Sequence, residues 1–342
     1  MSTSRPPIRT AVAALAVLLL ALAIAACGEK SEDGNASTEP VSLALDFYPN
    51  PDHIGIYEAQ KLGYFADAGL DVSINAPTDP AAPIKQVAAG QTDLAISYEP
   101  EVMLAREQGL DVKAVAGIVN RPLTSLIWLR KSGIKGVGDL RGKTIATAGI
   151  PYQDAFLDTI LARAKLSSGD VKSVNVGLGL LPALIGGRAD AMLGGFSNVE
   201  GVDLKLRHKD PTVTPVDQLG VPTYDELVLV AKGSQIAEDP EPLRLFIAAL
   251  ARGTAAAAGD PEGATKALLE QNPDLDPKVT AAEVKATLPA LSQASGETPF
   301  GAMDEGQWRE FIGWMRDHGQ IASLPTPAQV LTEKLLPGKI SD

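Results

Sequence analysis

The chain has 342 residues, 45% of them hydrophobic and 21% charged, with a formal net charge of -12. That length can bury two separate cores, and the composition is that of an ordinary globular protein. The negative charge argues against nucleic acid or an anionic membrane surface as the main partner, since both would repel the chain.

The single cysteine, Cys27, excludes an intrachain disulfide and a cysteine-cluster metal site. It follows the basic pair Arg5 and Arg9 and an apolar run of 16 residues, Ala11 to Ala26. This run is shorter than the about 20 residues a spanning helix needs but suits a secretory signal. It closes on Ile24-Ala25-Ala26-Cys27, which resembles the lipobox of bacterial lipoproteins: small residues admit a signal peptidase and the thiol takes the lipid. Residues 1–26 are therefore expected to be a lipoprotein signal peptide, with lipidation on Cys27 holding the protein at the outer face of the cell membrane. Residues 27–40, polar and poor in apolar surface, read as a flexible tether.

From Val41 the chain alternates strand and helix signals. Val41–Leu45 reads as a strand, and Asp52 can cap a helix running to Tyr64, with Ile54, Tyr57 and Leu62 on one side and Gly63 at its stop. Asp71–Ile74 is the next strand. A helix over Ile84–Ala89 ends at Gly90, and Leu94–Ile96 is a third strand. Pro100 suits the first turn of a helix that stops near Gly109, and Val112–Val119 and Ser125–Leu129 are apolar, β-branched runs. Such alternation predicts a parallel, helix-covered α/β sheet.

Two segments are alike: QVAAGQTDLAI at 86–96 and ALIGGRADAML at 183–193. In each, a helix ends at a glycine (Gly90, Gly187), and an aspartate (Asp93, Asp190) placed to tie down the turn opens an apolar strand. The recurrence suggests two lobes of similar construction. Ser125–Leu129 and Leu227–Ala231 bracket the second copy and read as crossover strands forming a hinge. The expected organisation is lobe 1 over 41–125, lobe 2 over 126–227, and a return to lobe 1 over 228–342. Beyond Glu241 the pattern is helical: Pro242–Ala257, Pro261–Glu270, Ala281–Leu291, Glu305–Met315 and Pro327–Leu336. Trp308, Phe311, Ile312 and Met315 share one face and read as core.

Ligands of open α/β sheets bind beyond the carboxyl ends of the strands. The segments there are Asp46-Phe47-Tyr48-Pro49-Asn50, Ser97-Tyr98-Glu99, Gly149-Ile150-Pro151-Tyr152 and Phe196-Ser197-Asn198-Val199-Glu200, with Tyr224-Asp225-Glu226 before the second bracketing strand. They offer aromatic rings, carboxylates and amides, and no Lys or Arg. Rings stack on a flat heteroaromatic face, and carboxylates accept from exocyclic amines. An anionic ligand would need Arg, Lys or clustered N–H groups. No catalytic set emerges. There is no Gly-x-Ser-x-Gly elbow, and His53, His208 and His318 lack metal-ligand spacing, so neither a metal nor a cofactor is expected.

At Leu45-Asp46-Phe47-Tyr48-Pro49-Asn50-Pro51-Asp52-His53 the chain resembles the NMT1/THI5-like (ThiY-type) thiamine-precursor branch of the solute-binding proteins. The likeness continues through Gly63-Tyr64-Phe65, residues 90–98, Asp139-Leu140-Arg141-Gly142-Lys143, residues 196–200 and residues 220–227. It covers about residues 41–235. The resemblance implies a periplasmic-binding-protein-like α/β fold with two lobes and two crossovers. A monomeric, non-enzymatic component of an ABC importer that docks on a permease is expected. The ligand implied is a formylaminopyrimidine or hydroxymethylpyrimidine; by their place in the strand-end segments, Asp46, Phe47, Asn50, Tyr98, Glu99, Tyr152, Phe196, Asn198, Glu200, Tyr224 and Glu226 are its expected contacts. His53 matches a family position where either the cleft or the helix cap would claim it. The family carries Trp where this chain has Phe47, a smaller ring without an N–H. Fungal relatives are synthases of a pyrimidine phosphate, with a cysteine-rich iron motif and a Lys and His after the third strand; here that stretch reads Ser97-Tyr98-Glu99-Pro100-Glu101. The alternatives that stay open are a binder of another small solute (a sulfonate, nitrate or other heterocycle) and a synthase-like enzyme.

Overall fold

The computed structural model describes residues 38–292 and 298–338. The expected signal peptide, Cys27 and residues 27–37 of the expected tether lie outside them. Strand β1 (Glu39–Ala44) begins two residues before the expected start and takes in the last two tether residues. Pro40 is tolerated because only Leu43 and Ala44 of β1 pair with the strand on the side its missing N–H would face.

The first sheet is formed by β1, β2 (Leu70–Asn75), β3 (Leu94–Ser97), β4 (Val112–Val119) and β10 (Leu227–Lys232), in the order β2-β1-β3-β10-β4. The second uses β5 (Thr124–Leu129), β6 (Thr144–Thr147), β7 (Lys172–Asn175), β8 (Ala191–Phe196) and β9 (Pro211–Pro215), in the order β7-β6-β8-β5-β9. Neither sheet is all-parallel, which corrects the sequence expectation. In each, the fourth strand, β10 or β5, runs antiparallel to both neighbours. These are the two strands expected to carry the chain between lobes, yet each stays within one sheet. The crossings are the loops 120–123 and 216–226. Since β4 ends at Val119 and β10 begins opposite it at Leu227, β10 can only run back against β4. Lying between two partners, β10 is buried from Leu227 to Ala231, as an inner strand covered on both faces requires.

The internal likeness has a structural cause. Gly90 and Gly187 both take the left-handed conformation that ends the preceding helical segment. Asp93 then accepts the backbone N–H of Ser42 on β1 (2.8 Å), and Asp190 accepts that of Thr144 on β6 (2.9 Å). Each aspartate therefore clamps the opening of one strand to the neighbouring parallel strand, rather than only its own turn.

The first helix does not start at Asp52. Asn50 caps a single 3-10 turn, Pro51–His53, its side chain accepting the Asp52 N–H at 2.8 Å, and the α-helix follows over Ile54–Lys61. Leu62 lies beyond its end and is exposed. C-terminal helices occupy Glu241–Gly259, Pro261–Gln271, Pro277–Thr287 and Glu305–Asp317. Pro327–Val330 is a single turn, because β-type backbone resumes at Leu331. The stripe Trp308, Phe311, Ile312 and Met315 is buried in the core. Pro277–Thr287 packs against both the Pro51–His53 turn and the helix Glu200–Leu206, so it touches both lobes.

Candidate functional site

A pocket of about 380 Å³, its open mouth included, lies between the sheets, lined from both lobes. Phe47, Asn50 and Tyr98 face it from the strand ends of the first sheet; Tyr152, Phe196 and Glu200 face it from the second. Six of the expected ligand residues are thus brought together, and among the described residues no Lys or Arg lines the space. Tyr98 and Tyr152 meet across the lobes with ring centroids 5.7 Å apart at 61°. Phe47 lies 4.5 Å from the Tyr48 ring.

Glu200 begins its helix directly after β8. Its Oε2 accepts the Phe196 N–H (2.7 Å) and its Oε1 accepts the Tyr48 hydroxyl of the other lobe (3.1 Å). Burial raises the Glu200 carboxyl, while these donors restrain the rise. Its own backbone N–H is a third donor, and a carboxylate has about four acceptor positions, so about one remains for a ligand. Asn198 makes a second link between lobes, donating to Asp52 Oδ1 (2.8 Å) and Thr287 Oγ1 (2.7 Å).

The other expected contacts stand elsewhere, each for a physical reason. Asp46 lies behind the pocket wall with both oxygens engaged, Oδ1 by His53 Nε2 and Oδ2 by the Tyr98 hydroxyl, each at 2.8 Å. His53 is fully buried; its Nδ1 accepts the Asn50 N–H (3.2 Å), which leaves the Nε2 hydrogen to donate to Asp46. Of its two readings from sequence, the helix cap claims it. Asp46, held by His53, thereby fixes the Tyr98 hydroxyl. Burial, then the Asp46 charge, pushes that hydroxyl well above its ordinary value.

Glu226 and Tyr224 belong to the crossing. Glu226 accepts the N–H groups of Leu123 and Thr124 (both 2.7 Å), the Thr124 hydroxyl (2.9 Å) and the Tyr224 hydroxyl (3.0 Å). It pins one crossing loop to the other. Glu99 is fully buried and accepts the Asp225 N–H (2.7 Å), while Asp225 takes the Trp308 indole N–H (2.7 Å). Asn198 joins the lobes outside the pocket lining. These side chains were expected at the ligand because they sit at strand ends, but other protein groups claim them, distant in sequence for Glu226, Glu99 and Asn198 and two residues away for Tyr224.

The pocket also uses Thr124, Gln153 and Gly194, which sequence reasoning missed. Gln153 stands one residue past the segment read as ligand-facing, in the first turn of the helix Tyr152–Arg163. The signal that could have found it is the polar residue following Tyr152 at a strand-to-helix junction.

Residues 50–264 match the NMT1/THI5 like family model. A formylaminopyrimidine-binding protein of Halalkalibacterium halodurans is 36% identical over 89% of this chain and 93% of its own length. A yeast (Saccharomyces cerevisiae) 4-amino-5-hydroxymethyl-2-methylpyrimidine phosphate synthase is 26% identical over 70% of this chain and 73% of its own length. The fold is also that of the alkanesulfonate-binding protein SsuA from Xanthomonas axonopodis pv. citri. That match has a TM-score of 0.68 and 16% identity over 86% of this chain and 99% of that one. With the two-sheet architecture, these matches show that the chain belongs to the NMT1/THI5-like family and has the periplasmic-binding-protein fold.

Proposed function

We propose that this protein is the extracytoplasmic solute-binding component of an ABC importer and captures a thiamine-precursor pyrimidine of the formylaminopyrimidine or hydroxymethylpyrimidine type. The observation that carries this reading is the lining of the pocket. Phe47, Tyr98, Tyr152 and Phe196 line the pocket with a buried carboxylate, Glu200, and no Lys or Arg among the described residues lines it with them. Aromatic walls fit a flat ring, and a carboxylate fits an exocyclic amine. A sulfonate or nitrate would meet uncompensated negative charge there. The 36%-identical formylaminopyrimidine-binding relative supports the same ligand class.

The mechanism is closure: a ligand touching both lobes shifts the population toward the closed form, which docks on the permease. Catalysis has no part in it, since Ser97-Tyr98-Glu99-Pro100-Glu101 supplies neither Lys nor His. Cys27 carries the lipid in this reading, and Cys27→Ala should move the protein from the membrane fraction to the soluble one. Calorimetric titration with formylaminopyrimidine, 4-amino-5-hydroxymethyl-2-methylpyrimidine, an alkanesulfonate and nitrate tests the ligand class. Heat of binding with a pyrimidine alone is expected; binding of an anion in its place would refute the proposal.

A further inference from the structure

We infer that Gln153 is a specificity residue that donates a hydrogen bond to an acceptor atom on the ligand, in practice the carbonyl oxygen of a formamide. This rests on the pyrimidine reading above and deepens it. The Gln153 side chain is 2% exposed, and its Oε1 accepts the Ala148 backbone N–H at 3.0 Å. A backbone N–H can only donate, so the amide orientation is fixed: oxygen toward Ala148, NH2 away from it. No acceptor for that NH2 is seen among the described residues, and Gln153 lines the pocket. The donor opens on the pocket, where a ligand atom can accept from it.

The strand opposite is shaped for this group. Gly194 of β8 has a φ of 109°, which disfavours other residues, and a Cβ there would lie 2.4 Å from Gln153 Nε2. Two residues further along β8, the Phe196 N–H anchors Glu200. The donor and the acceptor of the pocket are therefore set about two strand residues apart, roughly 7 Å. Two hydroxyls of the lining are already committed as donors, Tyr98 to Asp46 and Thr124 to Glu226. A ligand that satisfies both ends carries an amine for Glu200 and an acceptor for Gln153. A formylated amine offers that acceptor; the free amine left when the formyl group is removed offers a donor in its place.

Gln153→Glu tests this, because it keeps the acceptor for Ala148 and turns the donor into an acceptor. Affinities of the full chain and the variant are measured by calorimetry for formylaminopyrimidine and for its deformylated amine, with the melting temperature of each free protein as the folding control. The wild type is expected to prefer the formyl compound. The variant is expected to bind it at least tenfold more weakly and to bind the amine no more weakly than wild type does. A purely structural role would lower both affinities together, and that result, or an unchanged preference, would overturn the inference while leaving the pyrimidine reading intact. A wild type that binds neither compound overturns both. Should Gln153→Glu not fold, Gln153→Met keeps the volume without the donor and is expected to abolish the preference; a retained preference there also overturns the inference.

Discussion

Glu200 and Gly194 carry the most directly testable chemistry at the level of single residues. Glu200→Gln keeps the shape but replaces one acceptor oxygen with a donor. Pyrimidine affinity should fall at least tenfold, about 1.4 kcal/mol, with little change in the melting temperature of the free protein. Gly194→Ala should be more damaging, since it strains a φ of 109° and drives a methyl group into Gln153. Titration of the variant should show binding lost together with a lower melting temperature. Phe47, Tyr98, Phe196 and Glu200 were legible because they follow apolar strands, where this architecture places its ligands. Asp46 shares that position and Glu226 stands just before β10, yet both miss the pocket. What decides is the partner, His53 and Tyr98 for one and the Leu123–Thr124 backbone for the other, and pairings across 52 or 102 residues leave no local trace.

At the level of elements, the two crossing loops form a unit around Glu226. Its side chain holds two backbone N–H groups and two hydroxyls. Glu226→Ala would leave those buried N–H groups unpaired, at about 1–3 kcal/mol each. Thermal unfolding should show a drop of several degrees, while an unchanged melting temperature would contradict the assigned role. The βα alternation and the repeated Gly…Asp junction could be read directly, because each rests on short-range chemistry. The antiparallel course of β5 and β10 could not. An apolar β-branched run reads the same in either direction, and only the chain's passage between the sheets fixes its sense.

Across the whole molecule, the lobe contact gathers acidic groups. Glu283 is pushed up to about 8, first by burial and then by the carboxylates of Glu200, Asp203 and Asp52. Glu226 is pushed up to about 7 by burial. A carboxyl raised in the folded state keeps its proton where the unfolded chain, titrating near 4.5, has lost it. The associated stability is full below that value and is lost as pH rises through 7 to 8. The melting temperature should therefore fall between pH 5 and pH 8.5, and Glu283→Gln should flatten the decline by raising the value at the alkaline end. A change of 1 kcal/mol corresponds to roughly 2–4 °C for 150–250 residues and to less for a longer chain. A profile that is the same with and without Glu283 would contradict the assignment.

A flat, amine-bearing ring is expected to be held where the two lobes meet. A crystal structure of the protein with formylaminopyrimidine tests it most directly. The ring is expected among Phe47, Tyr98, Tyr152 and Phe196, with an exocyclic amine within hydrogen-bonding distance of Glu200. A ligand ordered anywhere else, such as the groove beside Arg121 and Asp217, would contradict it.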